Sequence, residues 1–115
     1  MKLGIIEHID CAHYLPGHTH CGTMHGHTYK VELVVEGEMQ DGMLIDFADL
    51  KKDVRQILSV YDHTLLNNVI KFPTVENIAL EFREKLGEKI PFSFTLKVWE
   101  GYNKWCEVEH KAKGE

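Results

Sequence analysis

Cysteine, long apolar runs and an excess of positive charge are all lacking in this chain, and each shortage closes a class of explanation. Three cysteines, Cys11, Cys21 and Cys106, are an odd number without the dense spacing of a secreted disulfide scaffold, so reduced thiols are expected. No apolar run is long enough to span a bilayer, and Met1-Lys2-Leu3-Gly4-Ile5-Ile6-Glu7-His8 reaches charge too soon for a signal-peptide core. A soluble, cytoplasmic protein is expected. The formal net charge is −5, with signs mixed along the chain, so no broad basic field exists to attract nucleic acid or an anionic membrane. Neither is expected as a partner, and repeats and low-complexity segments are lacking too.

What is present fits a single domain over residues 1–115: 43% of the chain is hydrophobic, enough for an ordinary core. The eight histidines are an unusual load, and His8, His13, His18, His20, His25 and His27 crowd into the first quarter.

Hydrophobic patterning gives six elements. Lys2 to His13 reads as a strand, broken by Pro16-Gly17. Tyr29 to Glu36 alternates, with Tyr29, Val31, Leu33 and Val35 on one face. Asp46 can cap a helix to about Tyr61, with Phe47, Leu50, Val54, Ile57, Leu58 and Tyr61 at helical spacing. After a loop from Asn67 to Phe72, Pro73-Thr74 begins a second helix carrying Val75, Ile78, Ala79, Phe82 and Leu86, with Gly87 as its expected stop. Pro91 opens a strand through Phe92, Phe94, Leu96 and Val98, and Gly101-Tyr102-Asn103 turns it into a last strand from Lys104 to about His110.

The order ββααββ predicts an α+β fold, a four-stranded, mainly antiparallel sheet with both helices on one face. The other face carries Lys30, Glu32, Glu36, Lys97, Glu107 and Glu109, too polar for a second core. Closing such sheets edge to edge in an oligomer would cover the edges and put the polar rows inside.

The chemistry-bearing residues gather around His25-Gly26-His27. In an extended stretch the two imidazoles emerge on one side, roughly 6 to 7 Å apart at Cα, and can reach one metal. His13, ending the preceding strand, can supply a third nitrogen and leave a fourth position for water or substrate, the arrangement of a catalytic zinc. Exposed histidines are the alternative, and His18-Thr19-His20 repeats the spacing. Cys21 lies four residues before His25; it can be a thiolate base, a fourth structural ligand or a small buried hydrophobe. Asp62-His63 pairs a carboxylate with an imidazole suited to proton transfer. Glu100 ends a strand on the Leu96 and Val98 face, where a carboxylate needs a partner or solvent. Trp99, Trp105, Tyr102 and Phe94 read as packing residues.

Together these segments resemble the 6-pyruvoyl-tetrahydropterin synthase and 6-carboxy-tetrahydropterin synthase family. The resemblance runs through Ala12-His13-Tyr14-Leu15, Cys21 to Tyr29, Gly42 to Phe47, Asp62-His63 with Leu66-Asn67, Pro73-Thr74-Val75-Glu76-Asn77 and Val98-Trp99-Glu100. It implies the tunnelling fold, a homohexamer of two trimers with active sites between subunits, and zinc on His13, His25 and His27. It further implies Cys21 as proton acceptor and Asp62 with His63 as a relay lent by a neighbouring subunit. Glu100 would anchor a pterin ring, with Thr74 and Glu76 near the same pocket.

The implied substrate is 7,8-dihydroneopterin triphosphate, and the implied activity a zinc-dependent lyase. The short Cys-x-x-x-His-Gly-His form is similar to the 6-carboxy branch, which serves queuosine and other 7-deazapurines; the other branch, 6-pyruvoyl, serves tetrahydrobiopterin. Lys30, Lys51, Lys52 and Lys97 are candidates to meet the triphosphate. Gly101 stands where many members have Thr, and the 67–72 loop is compact. A GTP cyclohydrolase and a non-catalytic pterin- or zinc-binding oligomer are the competing readings.

Overall fold

The computed structural model describes residues 1–114 and forms one four-stranded sheet backed by two helices. The strands are β1 (Lys2–His13), β2 (His25–Glu36), β3 (Ser93–Glu100) and β4 (Trp105–His110), in the order β1-β2-β3-β4 and antiparallel throughout. The helices are α1 (Phe47–Leu58) and α2 (Val75–Lys89), with a 3₁₀ turn at Leu66–Asn68 overlapping the start of the loop expected from Asn67. No helix among the described residues is long and apolar enough to cross a membrane.

Strand alternation builds the core. Ile9, Tyr29, Val31, Leu33, Val35, Phe94, Leu96 and Val98 are buried together with Leu50, Val54 and Leu58 of α1 and Ile78, Ala79, Phe82 and Leu86 of α2. Burial of this apolar surface is the main force holding the helices to the sheet. The opposite face is polar and aromatic. Lys30 Nζ sits 4.3 Å from the Trp99 ring centre, Lys97 Nζ lies 5.0 Å from that of Trp105, and the two indoles are 4.7 Å apart. Lys30 pairs with Glu32 at 3.2 Å and Lys97 with Glu107 at 3.8 Å, so this face is a solvated ladder of ion pairs.

The helices depart from the sequence expectations at their ends. Asp46 caps α1 as expected, its carboxylate accepting from the N–H groups of Ala48 and Asp49. Phe47, placed on the apolar stripe by spacing, is 53% exposed. The helix ends at Leu58, and tighter turns carry Tyr61 into the core, where its hydroxyl donates to Glu81 at 2.8 Å.

Gly87 does not stop α2, which continues to Lys89. A methyl group at Gly87 would stand 2.7 Å from Cε1 of His110, so the glycine makes room for a ring that stacks on Phe94 at 4.7 Å. The stop falls instead at Ile90, the residue that Pro91 biases away from helical geometry. Pro91 also precedes the strand rather than opening it, since β3 begins at Ser93.

Candidate active site

The sheet brings His13, His25 and His27 to one point. β1 and β2 pair from Lys2↔Glu36 to His13↔His25, so the strand begins at His25, four residues earlier than its alternating part at Tyr29. His13 is directly opposite His25, and Cys11 is opposite His27. The three ring centres lie 4.6, 5.0 and 4.8 Å apart, nearly equilateral, and one nitrogen from each falls within 4.8 Å of the others. His18 and His20 stand outside this group, with His18 Nδ1 accepting from the N–H groups of His20 and Cys21.

Backbone carbonyls orient two of the rings. His13 Nδ1 donates to the Pro73 carbonyl at 2.7 Å, and His25 Nδ1 donates to the Thr23 carbonyl at 2.7 Å. Each carbonyl can only accept, so both Nδ1 atoms carry the proton, and in the neutral rings both Nε2 atoms present lone pairs. Those two Nε2 atoms face each other at 3.0 Å. Two lone pairs at that distance repel unless a cation lies between or beside them. His27 Nε2 is buried without a hydrogen-bond partner, its nearest charged neighbour being Glu100 Oε1 at 3.7 Å. Burial, with the other two imidazoles and Lys104 adding to it and Glu100 opposing, lowers the His27 pKa and favours the neutral ring a metal requires.

The residues therefore fit zinc. Three neutral imidazoles bind it at about 2.0–2.1 Å, and carbonyl acceptors on the far nitrogens are the usual outer support. Tyr29 Oη adds a longer contact, 3.4 Å from His13 Nδ1, and is itself buried opposite Glu100. Cys21 does not converge on this point. It lies in the turn after Pro16, its carbonyl accepting from Leu15 N–H at 2.7 Å, half-buried and outside the trio.

Asp62 and His63 form a second, separate cluster with Asp10. His63 takes a left-handed backbone, φ 61°, while its N–H donates to the Asp10 carbonyl at 2.7 Å. Its Nδ1 lies 3.1 Å from Asp62 Oδ1, and its side chain is 78% exposed. An open cleft of about 570 Å³ runs past His63, Thr28, Asp10 and His27. Thr28 Oγ1 donates to the Asp10 carboxylate, and Gly101 N–H donates to the Thr28 carbonyl at 3.1 Å. Gly101 has φ 73°, a conformation that strains a β-branched residue and gives a backbone reason for glycine here.

Thr74 and Glu76 sit at the start of α2. Thr74 is its N-cap, Oγ1 accepting from Asn77 N–H at 3.1 Å, and Glu76 faces Cys106, whose thiol burial and that carboxylate push upward. Three supports had no signature in the residue types: the Pro73 and Thr23 carbonyls, and Asn67. The Asn67 side chain accepts from Tyr14 N–H and donates to the Tyr14 carbonyl at 2.9 Å, fixing the chain just beyond His13.

A sequence profile for 6-pyruvoyl tetrahydropterin synthase matches residues 2–111. The chain belongs to that family. A protein of Archaeoglobus fulgidus provisionally named 6-carboxy-5,6,7,8-tetrahydropterin synthase is 42% identical over 109 residues, covering 94% of this chain and 95% of its own. The dihydroneopterin monophosphate aldolase of Pyrococcus furiosus is 42% identical over 89 residues, covering 75% of this chain and 78% of its own. The fold matches the 6-pyruvoyl tetrahydropterin synthase structure of Caenorhabditis elegans with a TM-score of 0.86 at 21% identity, over 96% of each chain. That structural likeness carries the tunnelling fold, in agreement with the ββααββ order and the single sheet.

Proposed function

We propose that this chain is a zinc-dependent lyase that converts 7,8-dihydroneopterin triphosphate and one water to 6-carboxy-tetrahydropterin, triphosphate and acetaldehyde. The observation that carries the metal is the pair of facing lone pairs, His13 Nε2 and His25 Nε2 at 3.0 Å, with the orphaned His27 Nε2 beside them. Bound there, zinc supplies Lewis-acid polarisation of the substrate's side-chain oxygens. Support for the product comes from the Archaeoglobus fulgidus relative, which aligns over nearly its whole length.

The chain's own residues divide the remaining work. Glu100, 20% exposed at the end of β3, accepts hydrogen bonds from the pterin ring, and the family resemblance assigns Thr74 and Glu76 to the same pocket. Cys21 takes a proton from the substrate side chain, and His63, oriented by Asp62, takes part in the relay. Within one chain His63 and His27 line the same open cleft, and the family resemblance is what supports a relay lent across a subunit boundary. The free edge of β4 and the polar face of the sheet suit closure into rings, and a hexamer of two trimers is the assembly proposed.

A second reading follows from the Pyrococcus furiosus relative: retro-aldol cleavage of dihydroneopterin monophosphate to a 6-hydroxymethyl dihydropterin and glycolaldehyde phosphate. Incubating zinc-loaded protein with each substrate separately, followed by mass spectrometry of the pterin and assay of the aldehyde, decides between them. Acetaldehyde with a 6-carboxy pterin from the triphosphate supports the first reading. A 6-pyruvoyl pterin without acetaldehyde moves the chain to the biopterin branch. Glycolaldehyde phosphate from the monophosphate establishes the aldolase, and no change in either pterin rejects enzymatic activity on them.

A further inference from the structure

Among the described residues Arg55 is the cation bound to the proposed relay, and its contacts tie α1 to β1 and to the turn after α1. It lies on α1, off the buried stripe of Leu50, Val54 and Leu58. Its guanidinium donates from Nη2 to Asp62 Oδ2 at 3.2 Å and from Nη1 to the His8 carbonyl at 3.1 Å. Nε lies 3.6 Å from Glu7 Oε1. Glu7 and Asp62 are 13% and 17% exposed at their side chains, so two carboxylates on separate segments are shielded around one guanidinium.

This arrangement divides the two oxygens of Asp62. Oδ2 is held by Arg55, while Oδ1 accepts from the Asp10 N–H at 2.9 Å and faces His63 Nδ1 at 3.1 Å. A carboxylate held at both oxygens keeps its orientation, and with Nδ1 3.1 Å from Oδ1 a neutral His63 is favoured with its proton on that nitrogen. The working nitrogen of His63 is then Nε2, on an exposed ring.

We propose that Arg55 is a positioning residue for the relay: by clamping Asp62 Oδ2 against β1 it fixes the rotamer of Asp62 and thereby the tautomer of His63. This rests on the relay reading above. Planar, directed donors are essential to it, because a lysine ammonium cannot reach Asp62, Glu7 and the His8 carbonyl together. The groups facing the pair are Arg55 from α1 and Glu7, Asp10 and Cys11 from β1, and among the described residues none besides Arg55 is a cation that holds Asp62.

The test compares Arg55→Met, Arg55→Lys, His63→Ala and the Arg55→Met/His63→Ala double variant in the zinc-loaded protein. Nitrogen-15 shifts of the His63 ring report its neutral tautomer without any need for turnover. In the wild type the proton sits on Nδ1; Arg55→Met should give a mixture of tautomers, and Arg55→Lys should restore the wild-type form in part. In turnover, Arg55→Met should lower kcat by about tenfold with KM little changed, the size typical of lost outer support. The double variant should be no slower than His63→Ala alone, since both changes disable one unit. An unchanged His63 tautomer in folded Arg55→Met overturns the proposal. So does a double variant in which the two losses multiply. Full activity in His63→Ala rejects the relay reading instead, and the ring shifts still decide whether Arg55 sets the tautomer.

Discussion

Thr74→Ala is the change whose effect can be followed furthest through the structure. Thr74 Oγ1 accepts from Asn77 N–H at 3.1 Å, and the adjoining Thr74 N–H donates to the Phe72 carbonyl at 2.8 Å. Asn77 Nδ2 closes the same turn by donating to the Phe72 carbonyl at 2.8 Å. Between Phe72 and Thr74 stands Pro73, whose carbonyl receives the His13 Nδ1 proton. The helix cap and the outer support of a metal ligand are therefore consecutive residues.

Removing the cap oxygen leaves one helix N–H without its partner and costs about 1 kcal/mol, as Thr-to-Ala cap changes typically do. For a chain of this size that lowers the thermal midpoint by roughly 4 °C. Loosening the Pro73 carbonyl should also weaken zinc binding, by about tenfold at the lower end of such outer-support effects. Differential scanning fluorimetry of the metal-free protein and competition with a zinc chelator measure the two effects separately. Thr74→Ser, which keeps the oxygen, should restore both. An unchanged midpoint in Thr74→Ala, with only KM for the pterin raised, would refute the cap argument and assign Thr74 to substrate alone.

Burial depresses the His27 pKa, so the folded metal-free protein holds that ring neutral while the unfolded chain takes up a proton near pH 6.5. The contribution to stability is present above that pH and is lost as pH falls through the lower folded value; urea midpoints of metal-free protein should drop on acidification, less steeply in His27→Ala. Burial and then the Asp62 carboxylate push the Cys11 thiol from 9.0 up to about 11, a difference of about 3 kcal/mol at 1.36 kcal/mol per unit. Stability should be complete below pH 9 and fall as pH rises toward 11, with buried Tyr61 and Tyr29 acting in the same sense, and Cys11→Ala should shed part of that slope. Gly87→Ala places a methyl group 2.7 Å from the His110 ring and should cost about 1–3 kcal/mol through overpacking, read as a lower thermal midpoint.

Much of this architecture was legible because local patterns and global packing agree. Alternation in Tyr29 to Val35 and the helical spacing of Ile78, Ala79, Phe82 and Leu86 survive intact, since those residues are the ones that meet in the core. Where the reading failed, a distant partner overrode a local preference. Gly87 has the chemistry of a helix stop, but a ring 23 residues later needs the space it leaves. Spacing made His13 and His25-Gly26-His27 candidates beside His18-Thr19-His20, and the family resemblance singled out the trio that the strands bring together. Its orienting carbonyls were not legible, because any residue type supplies one. Arg55 was equally silent: its partners Glu7, His8 and Asp62 come from β1 and the turn after α1, and nothing adjacent in the chain announces them.

Cys21 separates an open catalytic zinc site from a closed structural one. The direct measurement is zinc content and turnover of dihydroneopterin triphosphate, taken on the same samples of wild type and Cys21→Ala. About one zinc per chain is expected in both proteins, as for three histidine ligands and an open position, with turnover abolished in the variant. Loss of zinc from Cys21→Ala, or turnover that survives the change, would contradict the catalytic reading of Cys21.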